Sequence, residues 1–173
     1  MLKSSVVFLL LISLLVPATT QELTFKQMSP LLQKAILDKD MAVLQKHIDL
    51  YGIIKSKIHT LSQKAQQKKS FRYKILGKTI GLSESILAKL ASEVVIKEFK
   101  ITPRAVRKRY LDQLKIEGIG QQGRQGYAFG AFMGKPFHIA AIKTKGKWLI
   151  IGVESEIIDQ EMDYLLKALS RRK

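Results

Sequence analysis

The pattern of apolar and polar positions divides the chain into a helical first part and a strand-rich second part. Between residues 29 and 115, apolar side chains recur every three or four positions, which is the spacing of amphipathic helices. Between residues 126 and 153 they alternate with small or polar side chains, as in strands with one buried face. A last helical pattern covers residues 155–169. The sequence therefore predicts an α+β fold, with amino-terminal helices packed on a three- to four-stranded antiparallel sheet and a carboxy-terminal helix.

Several helix starts are marked by capping residues. Ser29-Pro30 and Thr102-Pro103 each combine a capping side chain with a proline, and Asp40 and Asp49 can cap two further helices. Ser83 can cap a longer one. We expect the following apolar stripe of that helix to face the core: Ile86, Leu87, Leu90, Ala91, Val94 and Val95.

Three strands are predicted after residue 126, with turns at Met133-Gly134-Lys135 and Thr144-Lys145-Gly146. The third strand, Lys147–Val153, is apolar on both faces, so we expect it to lie inside the sheet or to be covered on both sides. The nearest cover is the terminal helix at residues 155–169. The glycine-rich segment Gly118–Gly126 satisfies GxGxxG, but it follows a helix and precedes strands. We therefore interpret it as a flexible linker and not as a nucleotide-binding loop.

The first twenty residues have the pattern of a secretory signal peptide. A basic start at Met1–Lys3 precedes eleven uncharged residues, Val6–Val16, and Ala18 and Thr20 are possible cleavage positions. An uncleaved anchor is the alternative, although the run is short of the ~20 apolar residues that a spanning helix needs. We expect an exported, periplasmic or extracellular protein, with residues 21–173 as a single domain and no transmembrane span in the mature chain.

Composition narrows the partners. Thirty Lys and Arg against fourteen Asp and Glu give a net charge of +16, which favours anionic partners. For an exported chain this means an anionic envelope surface or polysaccharide, and nucleic acid becomes a poor candidate; a solvated basic surface is the alternative. The absence of cysteine excludes a disulfide scaffold and thiol chemistry.

Two basic segments are candidates for binding an anion. From Leu50 to Ser83 there are eight Lys and Arg and no acid, and Phe71 and Tyr73 lie among them, as in surfaces that bind polyanions. We favour the alternative that residues 63–78 form a mobile surface loop whose two aromatic side chains dock on the core. The second segment is the basic side of the helix after Pro103. The candidate anion-binding residues of the two segments are Lys68, Lys69, Arg72, Lys74, Arg104, Arg107, Lys108 and Arg109.

The strands supply the candidate ligand pocket, on the concave face of the sheet. Its candidate residues are Tyr127, Phe129, Phe137, His138 and Trp148. The three histidines, His47, His59 and His138, have no metal-ligand spacing, and no nucleophile motif is present. We therefore predict no catalytic residue, metal or cofactor. An acid–base pair of Tyr127 and His138 at the mouth of the sheet is the enzymatic alternative.

The element order resembles the cystatin-like or nuclear-transport-factor-two-like superfold, with helices packed into a curved antiparallel sheet. Ala35–Ile58 is similar to the opening of a family of exported bacterial proteins of unknown function, and Lys143–Val153, a charged hairpin followed by Trp and an apolar strand, also fits it. The helix at residues 155–169 departs from the superfold, whose domains often end on the preceding strand. The resemblance implies no catalytic residues.

Three functions remain open at this stage. The first is an exported, non-enzymatic ligand- or partner-binding domain of the bacterial envelope, with either a small ligand or a protein partner. The second is a basic protein that binds a polyanion or a membrane surface, and the third is a small-molecule enzyme with its pocket in the sheet.

Overall fold

The structure is a computed structural model that describes residues 24–171, with side chains described as far as Tyr164. The predicted signal peptide lies outside the described residues. The fold is α+β, as predicted: helices come first, a four-stranded antiparallel sheet follows, and a helix ends the chain. After a short 3-10 turn at Phe25–Gln27, the elements are α1 Ser29–Asp38, α2 Met41–His47, α3 Leu50–Gln67, α4 Phe71–Leu82, α5 Glu84–Ile101, α6 Arg104–Asp112, β1 Leu114–Gln122, β2 Gln125–Phe132, β3 Lys135–Thr144, β4 Lys147–Ser155 and α7 Glu156–Arg171.

Aspartate caps set two of the helix starts, as the sequence predicts. The Asp40 carboxylate accepts a hydrogen bond from the Val43 amide at 3.1 Å, and Asp49 accepts one from the Gly52 amide at 2.8 Å. Ser29 and Ser83 make no such bond: Ser29 already lies inside α1, and Ser83 precedes α5 without a side-chain cap.

The sheet is a meander in the order β1-β2-β3-β4. Both predicted turns are confirmed, and each consists of two residues with positive φ: Met133 (53°) with Gly134 (75°), and Lys145 (49°) with Gly146 (74°). Positive φ at both positions is the type I′ geometry that matches the twist of a hairpin.

The interpretation of Gly118–Gly126 as a linker is wrong, because this segment supplies most of β1 and the turn into β2. Two of its glycines lie directly beneath aromatic rings of β2. A side chain at Gly118 would overlap the ring of Phe129, and one at Gly120 would overlap the ring of Tyr127. These glycines remove the apolar alternation that would have marked the segment as a strand.

The core lies between the helices and one face of the sheet. Phe137, Ile139, Trp148 and Ile150 point inward from β3 and β4 and are buried. The 3-10 turn, α2 and α3 contact the sheet, and the Phe25 ring lies 5.3 Å from the Trp148 ring. The terminal helix α7 also touches β3 and β4, but the amino-terminal helices provide most of the cover. Buried side chains from that cover include Met28, Leu32, Ile36, Leu44, Ile53 and Ile54.

The expectation for the third predicted strand, now β4, is also corrected. β4 lies at an edge of the sheet and exposes Ile151 on its outer face. A bulge opposite Ala140 and Ala141 then turns Val153 back to the buried face, so Val153 is not on the same face as Ile151.

The junction between α2 and α3 pairs with the free edge of β4. Ile48 forms a parallel bridge with Ile150, and the Asp49 amide donates to the Ile150 carbonyl at 2.9 Å. The buried His47 ring places Nδ1 3.0 Å from the Trp148 carbonyl oxygen, and Nδ1 must donate because a carbonyl only accepts. This short segment therefore acts as a cover for an edge that would otherwise present unpaired backbone groups.

Helix α5 buries only part of the stripe predicted for it, namely Val95 and, partly, Ala91. Its buried residues are Ala88, Ser92, Val95 and Phe99, and α5 packs against α3 along them. Small side chains at two of these positions allow the helices to approach closely. The larger apolar residues Ile86, Leu87, Leu90 and Val94 remain exposed.

We predict that His47 makes the stability of the protein fall in mild acid. Burial lowers the pKa of His47 from its ordinary value of 6.5 and outweighs the raising effect of the hydrogen bond to the Trp148 carbonyl, and neighbouring Lys46 and Lys147 lower the pKa further. Below pH 6.5 the unfolded chain therefore binds more protons than the folded chain. For this one group, the free energy of unfolding should then fall by at most about 1.4 kcal/mol for each unit by which the pH is lowered.

Urea unfolding across this pH range measures the slope. His47→Asn keeps a hydrogen-bond donor near the carbonyl but cannot titrate, so the slope should decrease. His138→Asn makes the same replacement at an exposed position and is the control. An unchanged slope in His47→Asn would contradict the prediction.

Candidate functional site

The five residues predicted to line a ligand pocket lie on opposite faces of the sheet. Tyr127, Phe129 and His138 point outward and are exposed. Phe137 and Trp148 point inward and are only 3% and 1% exposed. The face covered by helices is filled with core side chains, so these five residues do not form one cavity.

The outer face of the sheet is partly apolar. The rings of Tyr127 and Phe129 lie over the glycines of β1, and the centroid of the Phe129 ring lies 6.5 Å from that of His138. Ile142 and Ile151 are also exposed on this side. Among the described residues, no buried acid lies beside Tyr127 or His138, so the acid–base alternative gains no support from this geometry.

The basic segment at residues 63–78 is helical and not a loop. α3 continues to Gln67, α4 begins at Phe71, and only three residues separate the two helices. Of the two aromatic side chains expected to dock on the core, Tyr73 packs against it and Phe71 is exposed. The interpretation as a mobile loop with two docked aromatics is therefore wrong.

Helix α4 is fixed to α3 by a close contact between backbones. Gly77 and Ile80 are its buried residues, and the Ser62 hydroxyl of α3 donates to the Gly77 carbonyl at 2.8 Å. A Cβ at Gly77 would lie 2.7 Å from the Ser62 carbonyl oxygen, so glycine is required for this approach. The opposite side of α4 is consequently held facing outward.

Three large apolar side chains form a row along that outward side. Phe71, Ile75 and Leu82 are 74%, 50% and 91% exposed. At about 100° per residue, they fall within about 40° of one another around the helix axis. Lys74 and Lys78 flank the row on one side and Arg72 on the other.

Within the part of the chain that the structure describes, the cations around this row have no acidic partners. Five basic residues in α4 and the turn before it make no ion pair among the described residues, and all five are exposed. By contrast, Lys57 and Lys64 of α3 face Asp159 and Asp163 of α7 at 3.8 and 3.9 Å. We call the eight residues of the row and its cations the basic-apolar face: Lys68, Lys69, Phe71, Arg72, Lys74, Ile75, Lys78 and Leu82.

The second predicted anion-binding segment, in α6, has a different role. Arg107 is buried, donates to the Leu37 carbonyl at 2.6 Å and to the Thr102 carbonyl, and lies 5.8 Å from the Phe99 ring. Burial, with a smaller effect of Arg104, lowers the pKa of the Arg107 guanidinium. Arg107 thus joins the ends of α1 and α5. Its prediction as an anion-binding residue is wrong, because the side chain is buried and bonded to the protein itself.

The other α6 cations are exposed, and two of them have partners. Arg104 lies 3.3 Å from Asp38, and Lys108 lies 2.9 Å from Asp112. Arg109 is exposed. Because acids offset two of the three exposed cations, this segment offers much less uncompensated charge than α4.

Within residues 24–171, no group of three or more His, Asp or Glu side chains is arranged to hold a metal ion. In the same range, no helix is both long and apolar enough to cross a membrane.

Comparison with known proteins gives no relative for this chain. No family model, curated protein or solved structure matches it.

Sequence reasoning found part of the basic-apolar face. Lys68, Lys69, Arg72 and Lys74 were predicted, but Lys78, Ile75 and Leu82 were not assigned to a site. The signal was present as the spacing of Phe71, Ile75, Lys78 and Leu82, which lie four, three and four residues apart, as on one helix face.

We predict that Arg107 stabilises the fold and that Arg109 does not. Arg107→Ala should lower the free energy of unfolding by about 2–4 kcal/mol, because the buried side chain is lost and two part-buried carbonyls lose their donor. Arg109→Ala should change the free energy of unfolding by less than about 0.5 kcal/mol, because Arg109 is exposed. Denaturant unfolding of both variants is the measurement, and equal effects would contradict this assignment.

Proposed function

We propose that the protein is an exported, non-enzymatic binding protein of the bacterial envelope, and that the basic-apolar face attaches it to an anionic surface. The observation that carries the proposal is the group of five exposed cations on one side of α4 and its preceding turn, which have no acidic partner among the described residues. Export rests on the first twenty residues of the sequence.

The charge distribution supports this surface over the rest of the molecule. The acids of α7 lie against Lys57 and Lys64, and Glu156 lies 2.8 Å from Lys135. These pairs offset cations elsewhere and leave α4 without an acid of its own. Clustered cations attract a polyanion at long range and release its bound counterions on contact.

The small-ligand version of this function has less support. Its pocket residues are divided between the two faces, and the face under the helices is filled. A protein partner remains the second candidate function, favoured by the exposed rings of Tyr127 and Phe129 on the outer face of the sheet. The two candidates use different surfaces, so substitutions in α4 distinguish them.

Retention of the purified protein on a heparin column tests the proposal. If about four cations contact the polymer, affinity should fall about 50-fold as salt rises from about 0.05 to 0.2 M. A charge variant, with Lys68, Lys69, Arg72, Lys74 and Lys78 all replaced by Gln, should elute at much lower salt. The second candidate function predicts no partner-binding change in this variant.

A matched control separates the site from the overall charge. Replacing five exposed lysines elsewhere by Gln removes the same net charge: Lys26, Lys34, Lys89, Lys97 and Lys115. This control should stay close to the wild type. Equal loss of retention in both variants, or none in the charge variant, would contradict the assignment of the surface.

A further inference from the structure

We infer that the anionic surface is a lipid bilayer, and that α4 lies flat in its interface with Phe71, Ile75 and Leu82 among the acyl chains. The inference rests on the proposed function and names the class of surface. A polysaccharide would satisfy the cations, but it would leave the apolar row in water. A bilayer satisfies both parts of the basic-apolar face.

The apolar row is what distinguishes a bilayer from other polyanions. The three side chains are half to almost fully exposed and lie on one side of the helix, between cations. This is the arrangement of an interfacial helix, whose apolar side enters the membrane by about 5–10 Å while its Lys and Arg side chains reach the head groups. Full burial of one such side chain strengthens binding by about tenfold or more.

The dimensions of α4 fit a helix that lies on the membrane and does not cross it. Its twelve residues span about 18 Å, against a hydrocarbon core of about 30 Å. The helix is also formed before binding, because Gly77 and Ser62 join it to α3. Binding therefore does not require this segment to fold, which is the usual cost for a short interfacial peptide.

Charge argues against a second copy of the chain as the occupant of this face. Two copies meeting there would bring five cations against five, in a protein of net charge +16. Like charges placed across an interface suppress association. An anionic head-group layer has the complementary charge.

The experiment compares lipid vesicles with heparin, using variants that separate charge from apolar contact. Vesicles of phosphatidylcholine with and without phosphatidylglycerol are sedimented with the purified protein. The apolar variant carries Phe71→Gln, Ile75→Gln and Leu82→Gln, which preserve the charge and suit a helix. Its matched control carries Ile86→Gln, Leu90→Gln and Val94→Gln on the exposed side of α5.

The expected pattern is specific to a bilayer. The apolar variant should bind phosphatidylglycerol vesicles at least tenfold more weakly than the wild type and keep its heparin retention. The charge variant should lose both vesicle binding and heparin retention, and the α5 control should keep both properties. Fluorescence of F71W should shift to the blue with these vesicles and not with heparin, against a constant signal from the buried Trp148.

Other outcomes overturn the inference in distinguishable ways. If the wild type binds heparin and not vesicles, or the apolar variant binds vesicles as tightly as the wild type, the bilayer is excluded and the proposed function survives. If the wild type binds neither heparin nor vesicles, the proposed function fails as well. If the wild type is a dimer and only the apolar substitutions make it monomeric, the face would be assigned to a second copy of the chain. If the α5 control loses as much vesicle binding as the apolar variant, α4 would be excluded as the specific contact.

Discussion

Hydrogen bonds between residues 47–49 and the edge of β4 join the two halves of the molecule. The His47 ring and the Asp49 amide bond to consecutive inward-facing positions of that strand, at the carbonyls of Trp148 and Ile150. Asp49 also caps α3, so the same residue positions the helix on which α4 and α5 pack. The direction in which the basic-apolar face points therefore depends on a contact at the opposite end of α3.

The charge pattern of the surface follows from how the terminal helix is placed. α7 brings Asp159 and Asp163 to the lysines of α3, whereas no acid among the described residues pairs with a cation of α4. A chain with about twice as many cations as acids thus has one region where the excess is concentrated. Because core side chains fill the inner face of the sheet, the candidate binding surface lies on helix α4 and not in the sheet.

Local patterns predicted the elements and failed where a residue's role depends on a distant partner. The alternation in β3 correctly separated Phe137 from His138, and Asp49 correctly marked a helix start. Gly118 reads as a linker residue until the Phe129 ring that covers it is known. In the same way, Arg107 belongs to a run of cations, yet it is buried because it meets the Leu37 carbonyl, 70 positions away. Most cations of the candidate site could be predicted from the sequence. Its apolar row could not, because its recognition depends on α4 being a helix whose opposite side is fixed to α3.

The long sequence separation between His47 and Trp148 has a consequence for the order of folding. The four strands form consecutive hairpins, which close short loops, whereas this junction joins residues 101 positions apart. During synthesis α1 to α5 are complete before β4 exists, so their apolar sides have no sheet to cover them. A chain arrested or cleaved before Trp148 would keep those sides exposed and become a target for chaperones and proteases. The last strand is thus the step that converts a set of helices into a closed domain.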